Sequence, residues 1–194
     1  MKSLINKIKC CKVCKDALSL GPRPIVQLSV NSKIIIIGQA PGRRVHETGI
    51  PWNDASGKKL REWMNIDEAT FYDPLVFSIM PMGFCYPGKG ISGDLPPRPE
   101  CAPLWHSKIL KNYRSTPLIL LIGQYAQRNY LKKECKNSLT ETVKNFKEYL
   151  PKYFPLPHPS PRNQNWLKVN PWFMEEAIPE LRKRIRLAIH TPKP

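Results

Sequence analysis

The run Lys33-Ile34-Ile35-Ile36-Ile37-Gly38 constrains this chain more than any other stretch. Four successive β-branched residues without polar alternation predict a strand buried on both faces, as in a parallel sheet with helices on either side. Pro74 to Met80 and Leu118 to Gly123 repeat the pattern. Tyr153 to Pro157 is a weaker fourth strand, which its prolines assign to an edge or to early termination.

Helical patterns alternate with these runs. Gly57 to Met64 gathers Leu60, Trp63 and Met64 on one face, and Gln124 to Leu131 follows the third strand. Ser138-Leu139-Thr140-Glu141 fits a capping box before a helix that turns Val143, Phe146 and Leu150 inward. The last helix starts at Asn170-Pro171 and aligns Ile178, Leu181, Ile185 and Ile189, with Pro179 implying a kink or a fresh start. The expected fold is therefore α/β, a three-layer α/β/α sandwich on a mostly parallel central sheet of about four strands. One domain is expected over 1–194, with the N-terminal cysteine segment 1–32 packed on it.

Charge narrows the partner. Lys plus Arg number 31 against 15 for Asp plus Glu, a net charge of +16. Such an excess opposes compaction and favours a polyanion, nucleic acid first and an anionic membrane surface second. The longest apolar runs, Ile34 to Ile37 and Leu118 to Ile122, fall far short of the ~20 residues that span a bilayer. Met1 to Lys9 is basic without the apolar stretch of a secretory signal, so the protein is expected to be intracellular and cytoplasmic, nucleoid-associated in a prokaryote. In that setting its 6 cysteines point to metal ligation or buried thiols and not to a disulfide framework. The prolines, 21 in all, gather at 81–103 and 151–161, which reads as long, ordered loops.

In open parallel sheets ligands bind beyond the carboxyl ends of the strands. Two segments leave those ends with unusual chemistry. Gly38-Gln39-Ala40-Pro41-Gly42 makes a tight turn whose N–H groups can face a ligand. His158-Pro159-Ser160-Pro161-Arg162-Asn163 holds one histidine between prolines, a restraint that suits a catalytic group.

Together the two segments resemble motifs A and B of the uracil-DNA glycosylase superfamily. Gly49-Ile50-Pro51-Trp52-Asn53-Asp54-Ala55-Ser56-Gly57 is similar to the Gly-x-Pro-Phe-x-Gly-x-x-Gly segment of family 4, the iron–sulfur branch. Cys11-x2-Cys14, then Cys85 and Cys101, follow the order of that branch's cysteines. The resemblance implies a glycosylase that flips uracil, or a related deaminated base, out of DNA and hydrolyses its N-glycosidic bond in base excision repair. It implies His158 and Gln39 as catalytic residues, and Gln39, Ala40, Trp52, Asn53 and His158 as the base pocket. Arg43, Arg44, Ser160, Arg162 and Asn163 would contact DNA. Cys11, Cys14, Cys85 and Cys101 would hold a 4Fe-4S cluster, with zinc or free thiols as alternatives and Cys10 competing with Cys11. The chain is expected to act as a monomer.

Two positions depart from the family. Ala40 stands where family 1 has a water-positioning aspartate, which leaves His46, Glu47 and Asp54 as nearby ionisable candidates. Pro81 stands where family 4 has the asparagine that reads the uracil edge, so main-chain groups of 81–84 or Asn53 would have to read the base. Two rivals accompany this reading: a nucleic-acid-binding protein of the same fold without turnover, and a glycosylase for another deaminated base such as hypoxanthine.

Overall fold

The Ile34–Ile37 run forms strand β1, and all four of its residues are buried. A computed structural model describes residues 1–113 and 117–190 of the chain. Within them the helices and strands follow in order: α1 (Lys2–Lys9), β1 (Ile34–Ile37), α2 (Arg43–Thr48), α3 (Ala55–Met64), α4 (Glu68–Tyr72), β2 (Phe77–Ile79), β3 (Lys89–Gly90), β4 (Gly93–Asp94), α5 (Cys101–Leu110), β5 (Leu118–Ile122), α6 (Gln124–Leu131), α7 (Leu139–Lys144), β6 (Tyr153–Leu156), α8 (Gln164–Val169) and α9 (Ile178–His190).

The central sheet has four parallel strands in the order β2-β1-β5-β6. β1 and β5 are interior, which is why both are apolar on both faces. β6 lies at an edge, where Pro155 pairs with Leu121 without breaking an interior ladder. β2 is shorter than the Pro74–Met80 run, because Asp73 starts a turn in which the N–H groups of Val76 and Phe77 bond its carbonyl.

Alternate residues of β1 divide the core. Ile34 and Ile36 pack with Leu60, Trp63, Phe71, Phe146, Leu181 and Ile185 on one side. Ile35 and Ile37 pack with Ile8, Phe84, Trp105, Ile109 and Leu131 on the other. Helices thus cover both faces, giving the three layers expected of an α/β fold. At about 25 cal/mol per Å² of apolar surface, these two clusters supply the main driving force for folding.

The N-terminal segment is joined to the sheet by backbone as well as by Ile8. Gln27 pairs antiparallel with Ile79 through N–H···O bonds of 3.0 and 2.7 Å, and the Ile25 N–H donates to the Phe84 carbonyl at 2.7 Å. The capping box forms, with Ser138 Oγ accepting from the Glu141 N–H at 3.1 Å. The helix it starts ends at Lys144, and Phe146–Tyr149 continues as a separate 3₁₀ turn. Pro179 sits in the first turn of α9, just after a π-helical turn over Phe173–Ala177. The helix is thus continuous through Pro179, and the wider π turn lies where the proline interrupts the regular bonding ladder.

Candidate active site

The loops after β1 and β6 meet beyond the carboxyl ends of the strands and enclose a cleft of about 330 Å³. Gln39, Ala40, Trp52, His158, Ser160 and Arg162 line it, as do Asp54, Ser56, Ile25, Ile79, Pro81 and Asp94. The short β3–β4 hairpin closes one side through Gly93 and Asp94.

Trp52 is held in place by its backbone and by two glycines. Its φ of 57° lies in the left-handed region, which a bulky side chain enters at a cost of order 1–3 kcal/mol. The surroundings impose that conformation. A Cβ on Gly38 would lie 2.8 Å from the indole Cζ2, and one on Gly57 would lie 1.7 Å from the Trp52 carbonyl oxygen. Tyr72 Oη donates to the neighbouring Pro51 carbonyl at 3.0 Å. The half-buried indole therefore lies against Gly38 at the end of β1, touching the core and lining the cleft.

His158 stands beside it, with ring centroids 5.9 Å apart and planes tilted by 31°. Burial pushes the imidazole below its ordinary pKa, and the Asp54 and Asp94 carboxylates oppose that shift. At neutral pH the ring is thus uncharged, able to donate from one nitrogen and accept at the other. Asn163 Nδ2 donates to the His158 carbonyl at 2.7 Å, and Ser160 Oγ caps the following turn by accepting from the Arg162 N–H at 3.2 Å. Asn163 and Ser160 thereby shape the loop that carries His158 and Arg162.

The ionisable groups near motif A divide. Asp54 caps α3, its Oδ1 accepting from the Gly57 N–H at 2.8 Å, and it faces the cleft. Glu47 instead pairs with Arg43 at 2.9 Å on the exposed side of α2. His46 is buried outside the cleft lining, and its Nδ1 has no hydrogen-bond partner among the described residues. Arg43 and Arg44 are exposed and, like Asn53 and Asn163, lie outside the cleft lining.

Pro81 contributes a wall without donors. Its carbonyl accepts from His106 Nε2 at 3.1 Å, and His106 Nδ1 in turn meets Tyr130 Oη at 2.7 Å. Burial brings the His106 pKa down to about 4, so this relay is neutral. The next N–H groups are also engaged: Met82 to Gly38 O at 2.8 Å, Gly83 to Gln39 O at 3.0 Å, and Phe84 to Cys101 Sγ at 3.3 Å. No main-chain N–H of 82–84 remains to read a base edge. Ile25, Ile79 and Pro81 leave that side of the cleft apolar.

Sequence reasoning missed Asp94, Ser56 and His106. The signal for Asp94 was available, since Gly90-Ile91-Ser92-Gly93 has the form of a two-residue hairpin connection. A lone histidine within α5 carries no comparable sign.

Cys11, Cys14, Cys85 and Cys101 line a second, apolar cavity with Val13, Leu18, Phe84, Leu104 and Trp105, while Cys10 is exposed outside it. Cys14 Sγ lies 3.8 Å from Glu100 Oε2, and burial pushes the Cys85 and Cys101 thiols up to about 11 and about 12. The donor chemistry fits a thiolate-bound group. Among the described residues, however, no three or more Cys, His, Asp or Glu side chains are placed to hold a metal ion. Among those residues no helix is long and apolar enough to cross a membrane.

The model of the uracil DNA glycosylase superfamily matches residues 25–182. The match takes in both cleft loops, Trp52, the hairpin, Cys85 and Cys101, and leaves Cys11 and Cys14 before its start. By this match over most of its length, the chain belongs to the uracil DNA glycosylase superfamily.

Proposed function

We propose that this chain is a DNA glycosylase that flips uracil, or a related deaminated base, into the Trp52–His158 cleft and hydrolyses its N-glycosidic bond. The observation that carries this reading is the neutral, half-buried His158 set against Trp52 at the carboxyl end of a parallel sheet. A base in a duplex must leave the stack to be reached, and an indole face gives it a new stacking surface. When the C1′–N bond breaks, its electron pair leaves with the base as an anion and the sugar becomes oxocarbenium-like. An uncharged imidazole aimed at O2 of the base donates to the developing charge, which one preorganised donor stabilises by ~2.7–4 kcal/mol.

Water then adds to C1′, and its proton passes through solvent to the departed base anion, leaving a neutral base and a neutral abasic sugar. Asp54 and Asp94 are the carboxylates lining the cleft, and their Oδ2 atoms lie 4.0 and 3.4 Å from where a Cβ on Gly42 would stand. Both are candidates to orient that water and to balance the charge on the sugar. Gln39 borders the same space and would hold the base or the water. Arg162 at the rim, with Arg43 and Arg44 on the neighbouring helix, would meet phosphates as the net charge of +16 leads one to expect.

The apolar wall of Ile25, Ile79 and Pro81 favours a second reading, in which a base other than uracil is preferred. Gel cleavage of oligonucleotides carrying uracil, hypoxanthine or xanthine, single- and double-stranded, tests both. Cleavage at uracil supports the first reading and cleavage at hypoxanthine or xanthine the second. Binding with no cleavage leaves a nucleic-acid-binding protein of the same fold.

We also infer that Cys11, Cys14, Cys85 and Cys101 are the ligands of a 4Fe-4S cluster, as in the family 4 branch that the sequence resembles. Their shared apolar cavity supports this. Such a group would tie the N-terminal segment to the 85–101 loop and take no part in bond cleavage.

A further inference from the structure

Ile91 occupies the tip of the β3–β4 hairpin with a relative exposure of 109%, against 74% for Val169, the next most exposed large apolar residue described. Single exposed apolar side chains are ordinary on protein surfaces. Here the position is what matters. Ile91 and Ser92 form the two-residue connection between the paired Gly90 and Gly93, so the side chain projects from a turn where polar residues are the norm.

The base of the hairpin is fixed while its tip is bare. The Leu95 N–H donates to the Gly88 carbonyl at 2.9 Å, and the Leu95 side chain lies over Gly88 and Gly90. Asp94 faces Gly42 of motif A, and Tyr86, buried beneath, interacts with its carboxylate. Gly93 approaches Arg162, whose Nη1 would be 3.9 Å from a Cβ there. The hairpin therefore stands at the cleft mouth with exposed Lys89 on it, and Arg162 of the His158 loop reaches its base at Gly93.

We infer that Ile91 is a DNA wedge, inserted between base steps beside the flipped nucleotide, with Arg162 at the base of the same hairpin. This rests on the reading of the cleft as a base-flipping site. Apolar wedges of this kind unstack a step and hold the gap open, and a β-branched side chain loses little rotamer freedom in doing so. Cationic Lys89 on the hairpin and Arg162 near its base suit phosphates close to the gap.

The test uses duplex DNA with 2-aminopurine adjacent to a uracil–guanine pair, whose fluorescence rises on unstacking. Wild type and Ile91→Phe should raise the signal on binding, and Ile91→Ala should not. In single-turnover cleavage the ratio of duplex to single-strand rate should fall at least ~10-fold for Ile91→Ala and recover in Ile91→Phe. Unfolding midpoints should be unchanged, because the side chain packs against nothing in the fold. If Ile91→Ala matches wild type in fluorescence and in that ratio, the wedge is overturned. If wild type cleaves neither substrate, the glycosylase reading fails and the fluorescence alone decides the wedge.

Discussion

The carbonyl oxygen of Trp52 occupies the space that a side chain on Gly57 would need, 1.7 Å from the Cβ position. The loop carrying the indole is thus seated directly on the first turn of α3. Even a methyl group at 57 must displace the Trp52 backbone, and with it the surface proposed to stack the base. Gly57→Ala should lower stability by about 1–3 kcal/mol through overpacking. Because misplacement of about 1 Å costs on the order of 10²-fold in rate, single-turnover cleavage should fall by that order. A wild-type unfolding midpoint together with a wild-type rate would contradict the seating.

His158 is neutral because burial lowers its pKa below the ordinary 6.5. A donor to a departing anion acts on the chemical step more than on binding. His158→Ala should reduce single-turnover cleavage ~10²- to 10³-fold while duplex affinity stays within a few-fold of wild type. The wild-type rate should hold above pH 6.5 and change only below it, as the ring takes its proton. Lost affinity with an unchanged chemical rate would assign His158 to binding instead.

How far the sequence disclosed this site depends on how local each signal is. The strands β1, β5 and β6 and the helix α6 were legible because apolar runs and periodicity are properties of neighbouring residues. Gln39, Trp52 and His158 were legible because motif segments keep their spacing through the fold. Asp94 was obscured by a proline- and glycine-rich stretch read as loop, although the two glycines around Ile91-Ser92 marked a turn. His106 was out of reach, since its bond to Pro81 joins α5 to the segment after β2 through tertiary packing alone.

The His106 relay gives stability a definite pH dependence. An unfolded histidine takes its proton near pH 6.5, whereas buried His106 resists until about pH 4. Between those limits the unfolded state binds more protons, so stability is held above pH 6.5 and lost as pH falls toward 4. The loss attributable to this residue is roughly 3 kcal/mol. His106→Gln, which keeps an N–H donor for Pro81, should be less stable at pH 7 but lose less on acidification. Parallel urea midpoints at pH 7 and 4.5 check the sign. An equal acid loss in both proteins would remove His106 as the cause.

Duplex affinity should fall steeply with salt, by about 0.9 in log K per unit of log salt for each phosphate neutralised. Arg162, exposed at the cleft mouth, should account for about one such contact. Arg162→Ala should therefore flatten the slope by about one unit. An unchanged slope would place its guanidinium away from the backbone of the DNA.

The cysteine cavity makes a selective prediction. Cys11, Cys14, Cys85 and Cys101 share its lining, whereas Cys10 is exposed outside it and Cys135 sits near Thr142, 3.6 Å from its hydroxyl. Four thiolates drawn from two separated pairs suit a 4Fe-4S cluster, and they also suit tetrahedral zinc. Protein purified without oxygen should be brown and carry about four irons per chain. Cys85→Ser or Cys101→Ser should abolish both colour and iron and loosen the 85–101 loop, which proteolysis would detect. Cys10→Ser and Cys135→Ser should leave the iron content unchanged. One zinc per chain would replace iron with a tetrahedral site on the same ligands. Metal-free protein in which these four serine-for-cysteine variants behave alike would remove the site and leave the His158 chemistry as it stands.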